Sequence, residues 1–122
     1  MNALDNLPVF EREKFMEQVA YDRELSIEII DIFLSEQGGQ LADMQRALSA
    51  GDYRQLYETA HTIKGSLGSL QAALARFHAE QLESAAKNDN YQSCVKSLAA
   101  LEGVLKVLEP ELLSLRESCS HP

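Results

Sequence analysis

The stretch richest in chemical potential is Ala60-His61-Thr62-Ile63-Lys64-Gly65-Ser66, followed two residues later by Gly68. At roughly 100° of rotation per residue, and with Leu56 set to zero, Leu56, Ala60, Ile63, Leu67 and Leu70 fall within about 40° of one direction. That is a buried helical stripe. His61, Lys64, Gly65 and Gly68 fall at roughly 140°, 80°, 180° and 120° on the same wheel, so an imidazole and an ammonium share a flank bordered by residues without side chains. Each glycine costs up to about 1 kcal/mol against alanine in a helix, which implies that the flank needs room. His61 is therefore read as a chemical handle that a second protein approaches closely.

An imidazole can be a nucleophile, a proton carrier, a metal ligand or a plain surface residue. Triad catalysis would need a hydroxyl or thiol beside the base, an orienting carboxylate and donors for an oxyanion. Ser66 lies five residues from His61, on another side of the helix, and no nucleophile elbow or phosphate-binding glycine loop is present. Glu58-x-x-His61 has the spacing of a di-iron bundle ligand pair, but a second Glu-x-x-His is missing: Ala75 stands three residues before His78, and His121 is in the tail. No metal or other cofactor is expected. What remains is phosphoryl carriage. A neutral imidazole nitrogen attacks phosphorus readily, and Lys64 at i+3 offsets the charge of the product. The chain has no nucleotide loop and no aspartate cluster for Mg²⁺, so donor and acceptor must be other proteins and the chain is not itself an enzyme.

The helices that position this flank follow from the apolar periodicity. A short first helix covers Glu11 to Val19 after Leu7-Pro8-Val9-Phe10. Asp22 caps a second, with Leu25, Ile29, Ile32, Phe33, Leu41, Met44 and Leu48 as its apolar positions, and Gly38-Gly39 weakens or kinks it without changing its phase. Gly51 then stops it, and Asp52 with Gln55 starts the His61 helix, about Tyr53 to Leu70, as a capping box. A fourth helix runs from Ala72 to Lys87, with Leu74, Phe77, His78, Gln81, Leu82 and Ala85 on one side; His78 is read as a core or boundary residue. Asn88-Asp89-Asn90 makes a turn and cap before a stripe of Tyr91, Cys94, Leu98, Leu101, Leu105, Leu108, Leu112 and Leu115. Pro110 should end or kink that last helix near Leu108, and Ser118 to Pro122 should fray. The expected fold is all-α: an antiparallel up-and-down four-helix bundle with a short extra N-terminal helix.

Whole-chain properties narrow the setting. The 122 residues suit one domain spanning 1–122, with a core at about 8–117; Met1 and the short flanks suit the expectation of a small protein, with a free-standing chain left open. Nineteen acidic against 11 basic residues give a net charge of −8, which disfavours nucleic acid and anionic lipid, and no apolar run approaches a membrane span. Met1 to Asp5 do not resemble a secretory signal, and Cys94 and Cys119 have no metal or redox spacing, so a cytoplasmic protein with free thiols is expected.

The motif His61-x-x-Lys64-Gly65-Ser66 resembles the H-x-x-K-G-[SA] signature of histidine-containing phosphotransfer (HPt) domains. Pro8-Val9-Phe10, Ile32-Phe33-Leu34, Ala50-Gly51-Asp52 and Leu82-Glu83-Ser84-Ala85-Ala86 resemble the family pattern at about the expected distances, over roughly residues 8 to 108. The resemblance implies a monomeric four-helix bundle that passes phosphoryl groups between receiver-domain aspartates, or from a hybrid histidine kinase, in two-component signalling. It implies His61 as phospho-acceptor through the ring nitrogen distal to the backbone, Lys64 as phosphate-stabilising, and Gly65 and Gly68 as partner access. Glu83 matches the pattern with its role open. Gln71 departs from it, standing where the family usually has a glycine. The alternatives are a helical adaptor that binds a receiver or other signalling protein without being phosphorylated and a kinase dimerisation domain, which would need a second subunit and an ATP-binding domain.

Overall fold

The computed structural model describes residues 6–121, and the Met1 to Asp5 reading lies outside them. Five helices follow in order: α1 Arg12–Gln18, α2 Arg23–Ala50, α3 Tyr53–Ser69, α4 Ala73–Lys87 and α5 Tyr91–Ser120. Their starts are encoded locally. The side chains of Asp22, Asp52 and Asn90 accept hydrogen bonds from the backbone N–H groups of Leu25, Gln55 and Ser93, satisfying donors that the first helical turn leaves free. The capping box at Asp52 is half formed, because the Gln55 side chain turns forward to Thr59 Oγ1 instead of back to the cap. Gly51 ends α2 in the left-handed region at φ 71°, where a side chain would be strained.

The four long helices close a ring in which α2 packs on α3 and α5, and α4 packs on α3 and α5. The tight α2–α3 and α3–α4 turns make neighbours antiparallel, giving the expected up-and-down bundle. α1 covers the end of the bundle where α3 turns into α4. Glu11 N–H donates to the Gln71 carbonyl at 3.0 Å, Leu74 N–H to the Pro8 carbonyl at 3.0 Å, and Arg12 reaches Ser118 near the end of α5 at 2.9 Å.

Three expectations need correction. In α2 the buried line is Ser26, Ile30, Phe33, Gln37, Met44 and Ala47, whereas Leu25 and Ile32 are exposed. Small and polar residues at 26 and 37 hid the phase of that line, because the apolar residues flanking it are the more conspicuous ones. In α4 the core side is alanine: Ala75, Ala79, Leu82, Ala85 and Ala86 are buried, while Gln81 is exposed. Small side chains let α4 lie close to α3 and α5. In α5 neither Pro110 nor Ser118 ends the helix, which continues to Ser120 with Cys119 buried. Pro110 faces solvent, so the carbonyl left without its intrahelical partner can turn to water. The stripe from Cys94 to Leu115 is buried as expected, and Tyr91 at its start is exposed.

Candidate functional site

α3 carries its motif across the middle of the bundle. Leu56, Ala60, Ile63, Leu67 and Leu70 are buried to 1% exposure or less, which anchors the helix and turns His61 outward. The His61 side chain is 62% exposed, and that of Lys64, one turn on, is 22% exposed. Both meet a residue of α4. The Glu83 carboxylate, 14% exposed, accepts from His61 Nδ1 at 2.5 Å through one oxygen and from Lys64 Nζ at 2.9 Å through the other.

Electrostatics set the ionisation of the carboxyl that joins the two side chains. Burial pushes the Glu83 carboxyl up, but hydrogen bonds from Lys64 and His61, with their charges, outweigh it and hold the group below its ordinary 4.5. Glu83 is therefore ionised at neutral pH and can only accept. The near nitrogen of His61 must then be the donor, which leaves a lone pair on Nε2 in the neutral ring. Among the described residues Nε2 has no hydrogen-bond partner. The Tyr57 ring, one turn before His61, lies nearly parallel to the imidazole at 12° with centroids 6.1 Å apart, limiting the ring's swing on the side away from Lys64. The arrangement is an imidazole whose outer nitrogen, nucleophilic when the ring is neutral, is open to solvent and one turn from an ammonium.

The other residues singled out by sequence divide around this centre. Gly65 is exposed, and beyond its own turn of helix a Cβ there would meet no atom of the described residues within 4 Å. At Gly68 the space is filled from within the molecule, since a Cβ would stand 3.4 Å from Arg76 Nε and 3.5 Å from its Cδ. Glu58 faces Arg54 at 3.3 Å and does not turn to His61. His78 is half-buried, its proton affinity lowered by desolvation, and its ring meets Phe77 edge-on at 5.4 Å; five residues from Glu83 on α4, it stands on a different side of the helix.

Gln71 occupies the left-handed region at φ 60°, the conformation that a glycine takes without strain. Its side chain donates to Gln18 Oε1 at 2.7 Å, while Gln18 donates to the Ser69 carbonyl at 2.7 Å, so the α3–α4 turn is tied to α1. Sequence reading left Glu83 without a role and passed over Tyr57 and Arg76. Tyr57 was legible in its i−4 relation to His61. Glu83 needed the packing of α4 against α3, which periodicity does not give.

The Hpt domain family model matches residues 28–111, most of the chain. The chain belongs to the Hpt domain family. Searches of curated proteins and of solved structures returned no match. Membership places the chain in histidine phosphotransfer within two-component signalling, where Hpt domains act as phosphocarrier modules and meet receiver domains and histidine kinases. The all-helical bundle agrees with that assignment, and no described helix is long and apolar enough to cross a membrane.

Proposed function

We propose that this Hpt chain is a phosphorelay intermediate that carries a phosphoryl group on Nε2 of His61 between receiver-domain aspartates. The observation that supports it most is the Glu83 carboxylate accepting from both His61 Nδ1 and Lys64 Nζ, which leaves the exposed Nε2 as the nucleophile. In the forward step the Nε2 lone pair attacks the phosphorus of an aspartyl phosphate. The N–P bond forms, the P–O bond to the aspartate breaks, and the carboxylate leaves with its electron pair. The ring proton stays on Nδ1, and the charge it gains is offset by Glu83. Lys64, one turn away, is the cation available to the phosphoryl oxygens. Transfer onward reverses the same bond changes on a second receiver.

In this reading the partner supplies Mg²⁺ and the acid cluster, and the chain contributes a prepared nucleophile and an unobstructed approach over Gly65. It works as a monomer in the cytoplasm, a placement supported by two buried, unbridged cysteines. The test is incubation with phosphorylated receiver domains and Mg²⁺, followed by assay for acid-labile, base-stable phosphate on the chain. Label that disappears in His61→Gln is the expected result. Label that persists in His61→Gln, or a wild-type chain that binds receivers and never takes up label, would leave an unphosphorylated adaptor as the better description.

A further inference from the structure

Gly68 and Arg76 form a pair that the phosphoryl chemistry does not use. Gly68 lies seven residues after His61, so it has nearly the same azimuth on α3 and stands about 10 Å further along the axis. The Arg76 side chain crosses from α4 onto this spot, with Cδ, Nε and Cζ at 3.5, 3.4 and 3.9 Å from the position a Cβ would take. A small residue at position 68 thus leaves a seat for the arginine side chain on the face that carries His61.

That guanidinium has no carboxylate or other acceptor among the described residues. Lys64, the nearest cation to His61, is held by Glu83, and Arg54 by Glu58. Glu80, one turn beyond Arg76 on α4, makes no ion pair with it; an arginine N-terminal to a glutamate at i,i+4 is the weaker orientation on a helix. An exposed arginine whose Cδ and Nε rest against a glycine, without an ion-pair partner among the described residues, keeps its donor fork available to a partner. On a chain of net charge −8 it also marks where an acidic partner can approach without like-charge repulsion.

We propose that Arg76, seated on Gly68, is a docking and specificity residue that engages a carboxylate on the rim of the receiver's phospho-acceptor site. The proposal rests on the phosphocarrier reading. It assigns Gly68 a purpose distinct from that of Gly65: Gly65 leaves room for the partner, and Gly68 places a charge for it. The contact acts on encounter and register, not on the bonds that form and break.

The test uses the full chain and a receiver domain charged with acetyl phosphate in Mg²⁺, chosen from the source genome as the one that labels wild type fastest. The second-order transfer rate is measured against ionic strength for wild type, Arg76→Ala, Arg76→Lys, Gly68→Leu and Lys106→Ala. Lys106 is exposed on the α2–α5 side, so its removal makes the same change in net charge away from the site. Direct labelling of His61 by phosphoramidate, which needs no receiver, runs in parallel.

Arg76→Ala should slow transfer by roughly three- to tenfold at low salt and flatten its salt dependence, with Arg76→Lys between it and wild type. Gly68→Leu keeps the charge but extends a side chain into the space that Arg76 occupies, and it should behave like Arg76→Ala, whereas an alanine there would only touch the arginine. Lys106→Ala should stay within about twofold of wild type, and all variants should take phosphoramidate label at the wild-type rate. Equal effects of Arg76→Ala and Lys106→Ala would overturn the proposal, as would loss of phosphoramidate labelling in Arg76→Ala, which would make the role structural. Failure of wild type to take label from either donor would instead remove the phosphocarrier reading and this proposal with it.

Discussion

Glu83 links His61 to Lys64, and its ionisation couples the site to pH. Its folded pKa lies below the ordinary value, because hydrogen bonds from Lys64 and His61 outweigh the opposing effect of burial. The stability it contributes is therefore present above the ordinary glutamate range near 4.5 and is lost as pH falls through the folded value. Urea denaturation should show Glu83→Gln less stable than wild type at pH 7, with the gap closing in strong acid. The same variant should take phosphoramidate label on His61 roughly tenfold more slowly, because an amide that must also face Lys64 fixes the imidazole tautomer less firmly. An unchanged labelling rate would reduce Glu83 to a structural ion pair. At this scale the sequence offered His61, Lys64 and Gly65 as candidates, because they lie within about one helical turn of each other. It could not disclose Glu83, 22 residues from His61, because the bond between them depends on how α3 and α4 pack.

Helix by helix, the encoded signals were strongest where they are local. Asp22, Asp52 and Asn90 cap the helices they precede, and Gly51 takes the positive φ that ends α2. Phase was harder to read in α2, where the exposed Ile32 draws attention from the buried Ser26 and Gln37. Truncation distinguishes the two faces. Ile30→Ala should cost about 2–5 kcal/mol in chemical denaturation, since it empties a fully buried site. Ile32→Ala, at 52% exposure, should stay within about 0.5 kcal/mol of wild type. Pro110 is the other element-scale lesson: proline disfavours a helix interior, yet eight buried positions along α5 hold the helix through it. Replacing it with alanine restores a backbone donor on the solvent face and should raise stability by about 1–3 kcal/mol, read as a higher denaturation midpoint.

Over the whole molecule, four helices close a ring with the exposed His61 on one face, and in the proposed function the catalytic groups are left to the partner. The antiparallel arrangement was legible from four amphipathic segments and short turns. The way α1 closes one end was not, because it depends on Glu11 and Pro8 reaching the backbone around Gln71 and Leu74. Openness over Gly65 is a property of the complex, so its test needs both proteins. Gly65→Leu should fold at least as stably as wild type, since beyond its own turn of helix no described residue comes within 4 Å of a Cβ, and should take phosphoramidate label normally. Its transfer rate with a phosphorylated receiver should fall by about tenfold or more, because the side chain stands where the partner must close.

The central claim concerns one nitrogen atom, and ¹⁵N NMR of the His61 ring before and after phosphoryl transfer reads it directly. The free chain should show Nδ1 protonated and Nε2 bare, and the phosphorylated chain should show phosphorus coupled to Nε2 with the proton still on Nδ1. Phosphorus coupled to Nδ1, or a free ring with its proton on Nε2, would contradict the account, because Glu83 would then not be holding the imidazole in the form that carries the phosphoryl group.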